Sequence, residues 1–299
     1  MSATPRQAGA DRPVTTSTFR AFKAAHRRIV MVTAYDTPSA RLVDEAGVDA
    51  ILVGDSLGMT VLGFDSTLPV TLDDMVRHTA AVKRGAVRAL VVADMPFMSF
   101  QVSPEDALRN AGRLMAEGGA TAVKLEGGAS MAVTVERLAG AGIPVMGHVG
   151  LIPQSVHQLG GYRVQAKEAG PAVRLLDDCL ALQDAGAFAI VLECIPSELA
   201  SIATAELEIP TIGIGAGAGC DGEVQVFHDL LGIGDGAPRH AGRYAELGDE
   251  IRRAVSAYAE DVKKGTFPGE SQTAHMEKGA LESLRASRSV RIRQVAGGK

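Results

Sequence analysis

The chain has 299 residues, of which 46% are hydrophobic and 22% charged, and its formal net charge is −5. That balance is the one expected of a soluble globular protein, and a slightly acidic chain offers no basic footprint for nucleic acid. No apolar run reaches the ~18 residues needed to cross a bilayer, and the opening M-S-A-T-P-R-Q-A-G-A-D-R-P lacks the continuous apolar stretch of a secretory signal.

The three cysteines, Cys179, Cys194 and Cys220, are odd in number and form no C-x-x-C. They point to a reducing, cytoplasmic setting. Cys179 and Cys194 sit in apolar runs and read as buried small side chains.

In chain order, residues 1–16 are rich in Ser, Thr, Pro and small residues and read as a flexible segment. A repeated unit follows: a helix-like stretch ends at glycine, then a short apolar strand ends in a polar residue. It recurs in E-A-G-V-D-A-I-L-V-G-D (45–55), R-G-A-V-R-A-L-V-V-A-D (84–94), E-G-G-A-T-A-V-K-L-E (117–126), A-G-I-P-V-M-G-H (141–148) and D-A-G-A-F-A-I-V-L-E (184–193). Glycine just past a helix end is a usual C-cap, and continuous Val/Ile/Leu runs fit strands covered on both faces.

Strands are predicted near 30–34, 49–54, 89–93, 121–125, 143–147, 187–192 and 209–214, with a weaker eighth near 223–228. Between them, Thr71, Ser103 and Ser197 open helical stretches; Pro104 suits a first helical position and Glu105 and Asp106 the positive N-terminus. Leu108, Ala111, Leu114 and Met115 make that helix's inward stripe. The run T-I-G-I-G-A-G-A-G-C-D-G (211–222) lacks G-x-G-x-x-G spacing and reads as a tight turn sooner than a dinucleotide site, although loops after strands seven and eight of a barrel often bind phosphate.

Eight such units predict a (β/α)8 TIM barrel over residues 17–269. A doubly wound open sheet is the second choice and lacks its expected switch-point motif. Residues 270–299 form a polar, basic tail, read as solvated.

Strand alternation sets the faces. Asp55 is expected beside Val53 and Ile51, Asp94 beside Val92 and Leu90, His148 beside Met146, and Glu193 beside Val191. Lys124 and Glu126 share one face of their strand, with Val123 and Leu125 on the other. If these faces point inward, five strands deliver the polar residues to the C-terminal mouth, where barrel active sites lie.

Several carboxylates converging in a partly dry pocket need a cation. Lys124 supplies one charge, and the hard oxygens of Asp55, Asp94 and Glu126 favour Mg²⁺ over Zn²⁺. The seven histidines show no zinc spacing. Blander readings stay open: Asp55 followed by Ser56 fits a turn or helix cap, His148 a hydrogen-bonded core histidine, and Glu193 a partner for an arginine.

At these residues the chain resembles the ketopantoate hydroxymethyltransferase family. The matching stretches include T-A-Y-D (33–36), V-G-D-S-L-G-M (53–59), D-S-T-L-P-V-T (65–71), A-D-M-P-F (93–97) and V-K-L-E-G-G (123–128). Further on come G-H-V-G-L-I-P-Q-S (147–155), G-G-Y-R-V-Q (160–165), L-E-C-I-P (192–196), I-G-I-G-A-G (212–217) and F-P-G-E (267–270).

The resemblance implies a barrel of the phosphoenolpyruvate-utilising type. It implies transfer of a one-carbon unit from the co-substrate 5,10-methylenetetrahydrofolate to 3-methyl-2-oxobutanoate, giving 2-dehydropantoate through a Mg²⁺-stabilised enolate. Asp55 and Asp94 match the family's Mg²⁺ ligands, joined by Glu126; Asp55, Ser56, Asp94 and Lys124 match its oxoacid-binding residues; Glu193 matches its proton acceptor; His148 is expected to help orient the oxoacid. A homo-oligomer, a decamer of stacked pentamers, is implied too. The chain departs from the family's pattern in A-K-E-A-G (166–170) and in S-Q-T-A-H after F-P-G-E. Another Mg²⁺-dependent enolate enzyme of this barrel type, a phosphoenolpyruvate mutase or an isocitrate-lyase-like lyase, is the alternative; the lyases rely on a reactive cysteine in a K-x-C-G-H-type loop, which no cysteine here occupies, and a silent binding barrel would be expected to have lost one of these site residues.

Overall fold

The computed structural model describes residues 12–234, 236 and 238–296. The described chain falls into two compact units, one up to Ala245 and one from Glu246 onward. The first is a closed barrel of eight parallel strands in sequential order.

Its elements are α1 (Thr16–Ala24), β1 (Ile29–Thr33), α2 (Thr37–Glu45), β2 (Ala50–Val53), α3 (Leu57–Thr60), α4 (Leu72–Gly85), β3 (Leu90–Asp94) and α5 (Pro104–Ala116). Then come β4 (Ala122–Glu126), α6 (Ala132–Gly140), β5 (Val145–Gly150), α7 (Val156–Leu159), α8 (Ala169–Asp184), β6 (Ala189–Glu193), α9 (Ser197–Glu206), β7 (Thr211–Ile214), β8 (Gly222–Gln225) and α10 (Phe227–Leu231). The second unit holds α11 (Leu247–Lys264) and α12 (Lys278–Ala296).

All eight predicted strands are present. The fifth runs to Gly150, so His148 lies inside it. The eighth is confined to Gly222–Gln225, because Val226 already precedes α10. It nonetheless closes the barrel, pairing Met31 with Val224 across to β1.

The helix starts follow local chemistry. Thr71 accepts from the Asp74 N–H at 3.2 Å and Ser103 from that of Asp106 at 3.1 Å, satisfying donors that the first turn leaves free. Ser197 does not cap: Pro196 holds the cap position and Ser197 is the first helical residue. On α5 the buried stripe is Ala107, Ala111 and Leu114, with Leu108 and Met115 packed at its edges.

Two apolar layers result. Val123, Leu125, Val91, Val145 and Ile190 face outward to the helices. Leu90, Val92, Ala122, Met146, Val191, Ile212 and Val224 fill the barrel interior. Phe19 of α1 joins the interior group, fully buried, and packs edge-on to Phe188 at 5.8 Å. Lys23 secures α1 by an ion pair to Asp221 at 2.8 Å, just before β8. Thus α1 plugs the end of the barrel opposite the strand C-termini. Residues 1–11 of the expected flexible segment lie outside the described residues, but Val14 is buried and its N–H donates to the Arg88 carbonyl at 2.8 Å.

The boundary between units falls at Glu246, ahead of residue 270, and the polar tail is helical over Lys278–Ala296. The glycine run after β7 is a tight turn: a Cβ at Gly219 would overlap Ser201 Oγ, and one at Gly213 would lie 2.8 Å from Glu223 Oε2, so neighbouring side chains fill the space.

Truncating the plug opens a cavity lined by interior side chains. Phe19→Ala is expected to destabilise the barrel by about 3–5 kcal/mol, read as a lower denaturation midpoint; an unchanged midpoint would show that α1 is not part of the core.

Candidate active site

The strand ends converge on one cavity of about 640 Å³, which Asp55, Ser56, Asp94, Lys124, Glu126, His148 and Glu193 all line. Register explains the grouping. Asp94 pairs with Lys124, Glu126 with His148, and Gly150 with Glu193 across neighbouring strands. In the parallel ladder, side chains at paired positions lie on the same face. Asp94, Lys124, Glu126, His148 and Glu193 alternate with outward residues and so follow the interior layer of Val92, Ala122, Met146 and Val191.

Asp55 arrives differently. Ile51 and Val53 face the helices, so strict alternation would have sent Asp55 outward with them. The strand stops at Val53, and the turn through Gly54 resets the direction. The Asp55 N–H then donates to Asp94 Oδ2 at 3.0 Å. A Cβ at Gly54 would lie 2.8 Å from Ser56 Oγ, so a side chain here would have to move that hydroxyl. The expectation that Asp55 shares its face with Ile51 and Val53 is therefore corrected, while its place in the site stands.

Lys124 is the one buried lysine or arginine among the described residues. Its Nζ lies 2.9 Å from Asp94 Oδ1 and donates to His148 Nδ1 at 3.2 Å. Burial pulls an ammonium down, but Asp94, Glu126 and Asp55 together outweigh it and hold Lys124 above the usual lysine range. Burial and the Asp94 charge push Asp55 up to about 7. Burial and the Asp55 charge push Glu126 well above the usual carboxylate range. Three carboxylates thus face one cation.

His148 is neutral: burial and the nearby Lys124 charge lower it well below the usual histidine range. Since Nδ1 accepts from Lys124, Nε2 carries the proton, and it lies 3.1 Å from Glu193 Oε2. Glu126 Oε1 stands 3.6 Å from the other ring nitrogen. Burial lifts Glu193 to about 7, against the lowering pull of Lys124 and His240. Leu52, Val191, Ile214 and Val224 supply the apolar wall of the cavity. Backbone bonds fix the end of this strand: the Leu151 N–H donates to the Glu193 carbonyl and the Cys194 N–H to that of Ile214, both at 2.8 Å. Cys194 itself is held at φ +48°, a strained turn for a residue with a Cβ.

Three buried polar atoms lining the cavity, Asp94 Oδ1, His148 Nε2 and Thr67 Oγ1, receive or make no aligned hydrogen bond. With the excess of negative charge they make a setting for a cation and a polar ligand. The donors are hard oxygens, which fit Mg²⁺. Among the described residues no three His, Cys, Asp or Glu side chains close on a ready-made metal cage. Mg²⁺ commonly takes only one or two carboxylates and leaves its other positions to water and substrate.

Charge-based reading of the sequence misses two uncharged residues. Tyr35 shares a hydrogen bond with Ser56 Oγ at 2.9 Å and is buried. Gln154 donates to Asp55 Oδ2 at 2.8 Å through its side chain and to Glu126 Oε2 at 3.0 Å through its backbone. Both lie in stretches that carry the family resemblance, T-A-Y-D and G-H-V-G-L-I-P-Q-S, the only signal that could have found them. Tyr162, Arg163 and Val164 of the segment before A-K-E-A-G line the cavity and overlie it.

The paired glycines after Glu126 do not widen the substrate space. The Gly127 N–H donates to the His148 carbonyl at 2.9 Å with φ at +121°. A Cβ at Gly128 would overlap the Asp178 carboxylate, whose Oδ1 accepts from the Ala129 N–H at 2.7 Å.

Comparison with known proteins gives the family and the fold. The family model described as ketopantoate hydroxymethyltransferase matches residues 13–270. The chain is 60% identical over 263 residues to a 3-methyl-2-oxobutanoate hydroxymethyltransferase of Gluconacetobacter diazotrophicus, covering 88% of this chain and 95% of that one. Among solved structures, a phosphoenolpyruvate phosphomutase from Streptomyces platensis subsp. rosaceus superposes with a TM-score of 0.57 at 15% identity, covering 94% and 99% of the two chains. A 2,3-dimethylmalate lyase, a member of the PEP mutase/isocitrate lyase superfamily, superposes with 0.53 at 20% identity, covering 98% and 100%. These two share the barrel.

The Asp178 anchor gives a double-mutant test. Gly128→Ala is expected to destabilise by about 1–3 kcal/mol, as overpacking does, while adding it to Asp178→Ala costs little more. Additive losses in thermal unfolding would show that the two positions are not in contact.

Proposed function

Because the chain belongs to the ketopantoate hydroxymethyltransferase family, we propose that it transfers a one-carbon unit from 5,10-methylenetetrahydrofolate to 3-methyl-2-oxobutanoate, giving 2-dehydropantoate by way of an enolate. What carries this reading is the single cavity lined by a neutral histidine, a buried lysine, three clustered carboxylates and a fourth carboxylate apart from them.

In this reading the Lys124 ammonium and Ser56 Oγ, oriented by Tyr35, hold the oxoacid. Glu193 takes the C3 proton, and the C–H electron pair forms the C2–C3 double bond as the carbonyl π pair moves onto the keto oxygen. C3 then bonds to the one-carbon unit as that pair returns. Water breaks the unit's bonds to the folate nitrogens, its oxygen becoming the hydroxyl and its protons passing to those nitrogens; the C3 proton completes the hydroxyl, and tetrahydrofolate leaves. The neutral His148 ring, with Nε2 at 3.1 Å from Glu193, aligns that base and the oxoacid. The apolar wall of Leu52, Val191, Ile214 and Val224 faces the branched carbon end and keeps Glu193 near neutrality. Asp55, Asp94 and Glu126 would hold Mg²⁺, which when bound supplies Lewis acidity to the keto oxygen. The developing oxyanion is further stabilised by the fixed charge of Lys124.

A homo-oligomer, with the decamer as its fullest form, is part of the same reading. On α11, Ile251, Val255, Tyr258 and Val262 are exposed along one helical face, which supports contact with another copy. No helix among the described residues is long and apolar enough to cross a membrane. The three cysteines are free, which supports a cytoplasmic location.

The reaction is tested by incubating the protein with Mg²⁺ and 3-methyl-2-oxobutanoate in D₂O, without folate, and following deuterium at C3 by NMR. Exchange is expected to need the metal and to fall by about 10²–10⁴-fold in Glu193→Gln. Wild type showing neither exchange nor folate-dependent product would end the reading. Asp94→Asn is expected to weaken Mg²⁺ binding in calorimetry, and wild-type affinity would remove Asp94 from the metal's ligands.

The base works only when ionised. Since Glu193 is lifted to about 7, exchange should rise with pH, half-maximal near 7, and level off above it. An acid limb in the ordinary carboxylate range near 4–5 would show that the wall does not tune it.

A further inference from the structure

Gln154 is uncharged, buried, and bonded at every donor and acceptor of its side chain. It lies in the single turn Pro153–Ser155 that follows β5. Its Nε2 donates to Asp55 Oδ2 at 2.8 Å and to the Met95 carbonyl at 3.0 Å. Its Oε1 accepts from Gln101 Nε2 at 3.1 Å, and its backbone N–H donates to Glu126 Oε2 at 3.0 Å. The network fixes the amide's orientation. The Met95 carbonyl accepts only and an ionised Asp55 accepts only, so both require the NH₂ side, while the oxygen meets the Gln101 donor.

One residue therefore ties together the turn after β2, the end of β3, the end of β4 and the loop after β5. It takes up one oxygen of each of two carboxylates that repel each other. The other oxygens, Asp55 Oδ1 and Glu126 Oε1, are left for whatever enters the cavity. A carboxylate with one pinned oxygen keeps its rotamer, so its free oxygen stays where a cation or the oxoacid meets it.

We propose that Gln154 is a positioning residue: its amide sets the Asp55 carboxylate and its backbone N–H the Glu126 carboxylate, and Gln101 in turn holds the amide. Where it concerns metal affinity, the inference rests on the magnesium reading above. Where it concerns exchange, it rests on the enolate reading.

The test uses Gln154→Met, which keeps the volume and removes the amide bonds, and Gln101→Ala, which leaves Gln154 in place but frees its oxygen. The metal-free proteins are titrated with Mg²⁺ alone by calorimetry, their thermal midpoints are recorded, and kcat and KM for C3 deuterium exchange are measured. Gln154→Met is expected to lose about 10–100-fold in Mg²⁺ affinity and to lose exchange mainly in kcat, with a midpoint close to wild type. Gln101→Ala should move both readouts in the same direction by less than about ten-fold. Wild-type affinity and kcat in Gln154→Met would overturn the proposal. So would losses that track a collapse of the midpoint in Gln154→Met while Gln101→Ala stays silent, since the role would then be structural. If wild type itself takes up no Mg²⁺, the metal reading fails separately, and the exchange kcat of Gln154→Met decides: a drop at an unchanged midpoint supports positioning, and an unchanged kcat overturns it.

Discussion

Lys124 is one buried ammonium set among three buried carboxylates, and the rest of the mouth is arranged around that imbalance. Its pairing with Asp94 at 2.9 Å offsets one negative charge and leaves Asp55 and Glu126 to repel each other in a dry pocket. A buried charge without a partner is costly and usually neutralises itself by protonation. The upward shifts of Asp55 and Glu126 express that tension. In the proposed reading, an incoming divalent cation relieves repulsion that folding has already imposed.

The barrel can hold such a cluster because its energetics lie elsewhere. Apolar side chains fill the interior below the mouth and the layer between strands and helices, and α1 closes the far end with Phe19. Along β4 a single strand serves both purposes. Val123 and Leu125 anchor it to the helical layer, while Lys124 and Glu126 project to the cavity. Alternation lets a strand carry two charges without losing its packing.

Much of this was legible because alternation is a local rule. The eight strands and the shared faces of Asp94, Lys124, Glu126, His148 and Glu193 followed from spacing, while the structure supplied the inward direction that spacing left as a condition. Asp55 reached the right place for a wrong reason: its strand ends two residues earlier, and the turn through Gly54, which no periodicity describes, aims it inward. Gln154 and Tyr35 escaped notice because they act through hydrogen bonds, whose partners are distant in sequence: 99 residues separate Gln154 from Asp55. The glycine at 128 is likewise explained only by a distant partner, the Asp178 carboxylate on α8. The tail's polarity was evident, but its helix is not marked by an apolar stripe of the kind that pattern reading relies on.

The fourth carboxylate stands under different control. Asp55 and Glu126 are raised by burial and then by neighbouring negative charge. Glu193 is raised by burial, and its named charge partners, Lys124 and His240, are cationic or potentially so and pull the other way. The neutral ring of His148 lies between the two groups, one nitrogen toward Lys124 and Glu126 and the other toward Glu193. Positive charge arriving among the clustered carboxylates relieves their mutual repulsion, the second cause that raises them, while the burial that raises Glu193 stays in place. A base tuned by an apolar wall keeps an affinity for protons near neutrality when the neighbouring cluster is neutralised. In the proposed reading, the same mouth thus binds a cation through ionised carboxylates and still presents a carboxylate basic enough to take a proton from carbon.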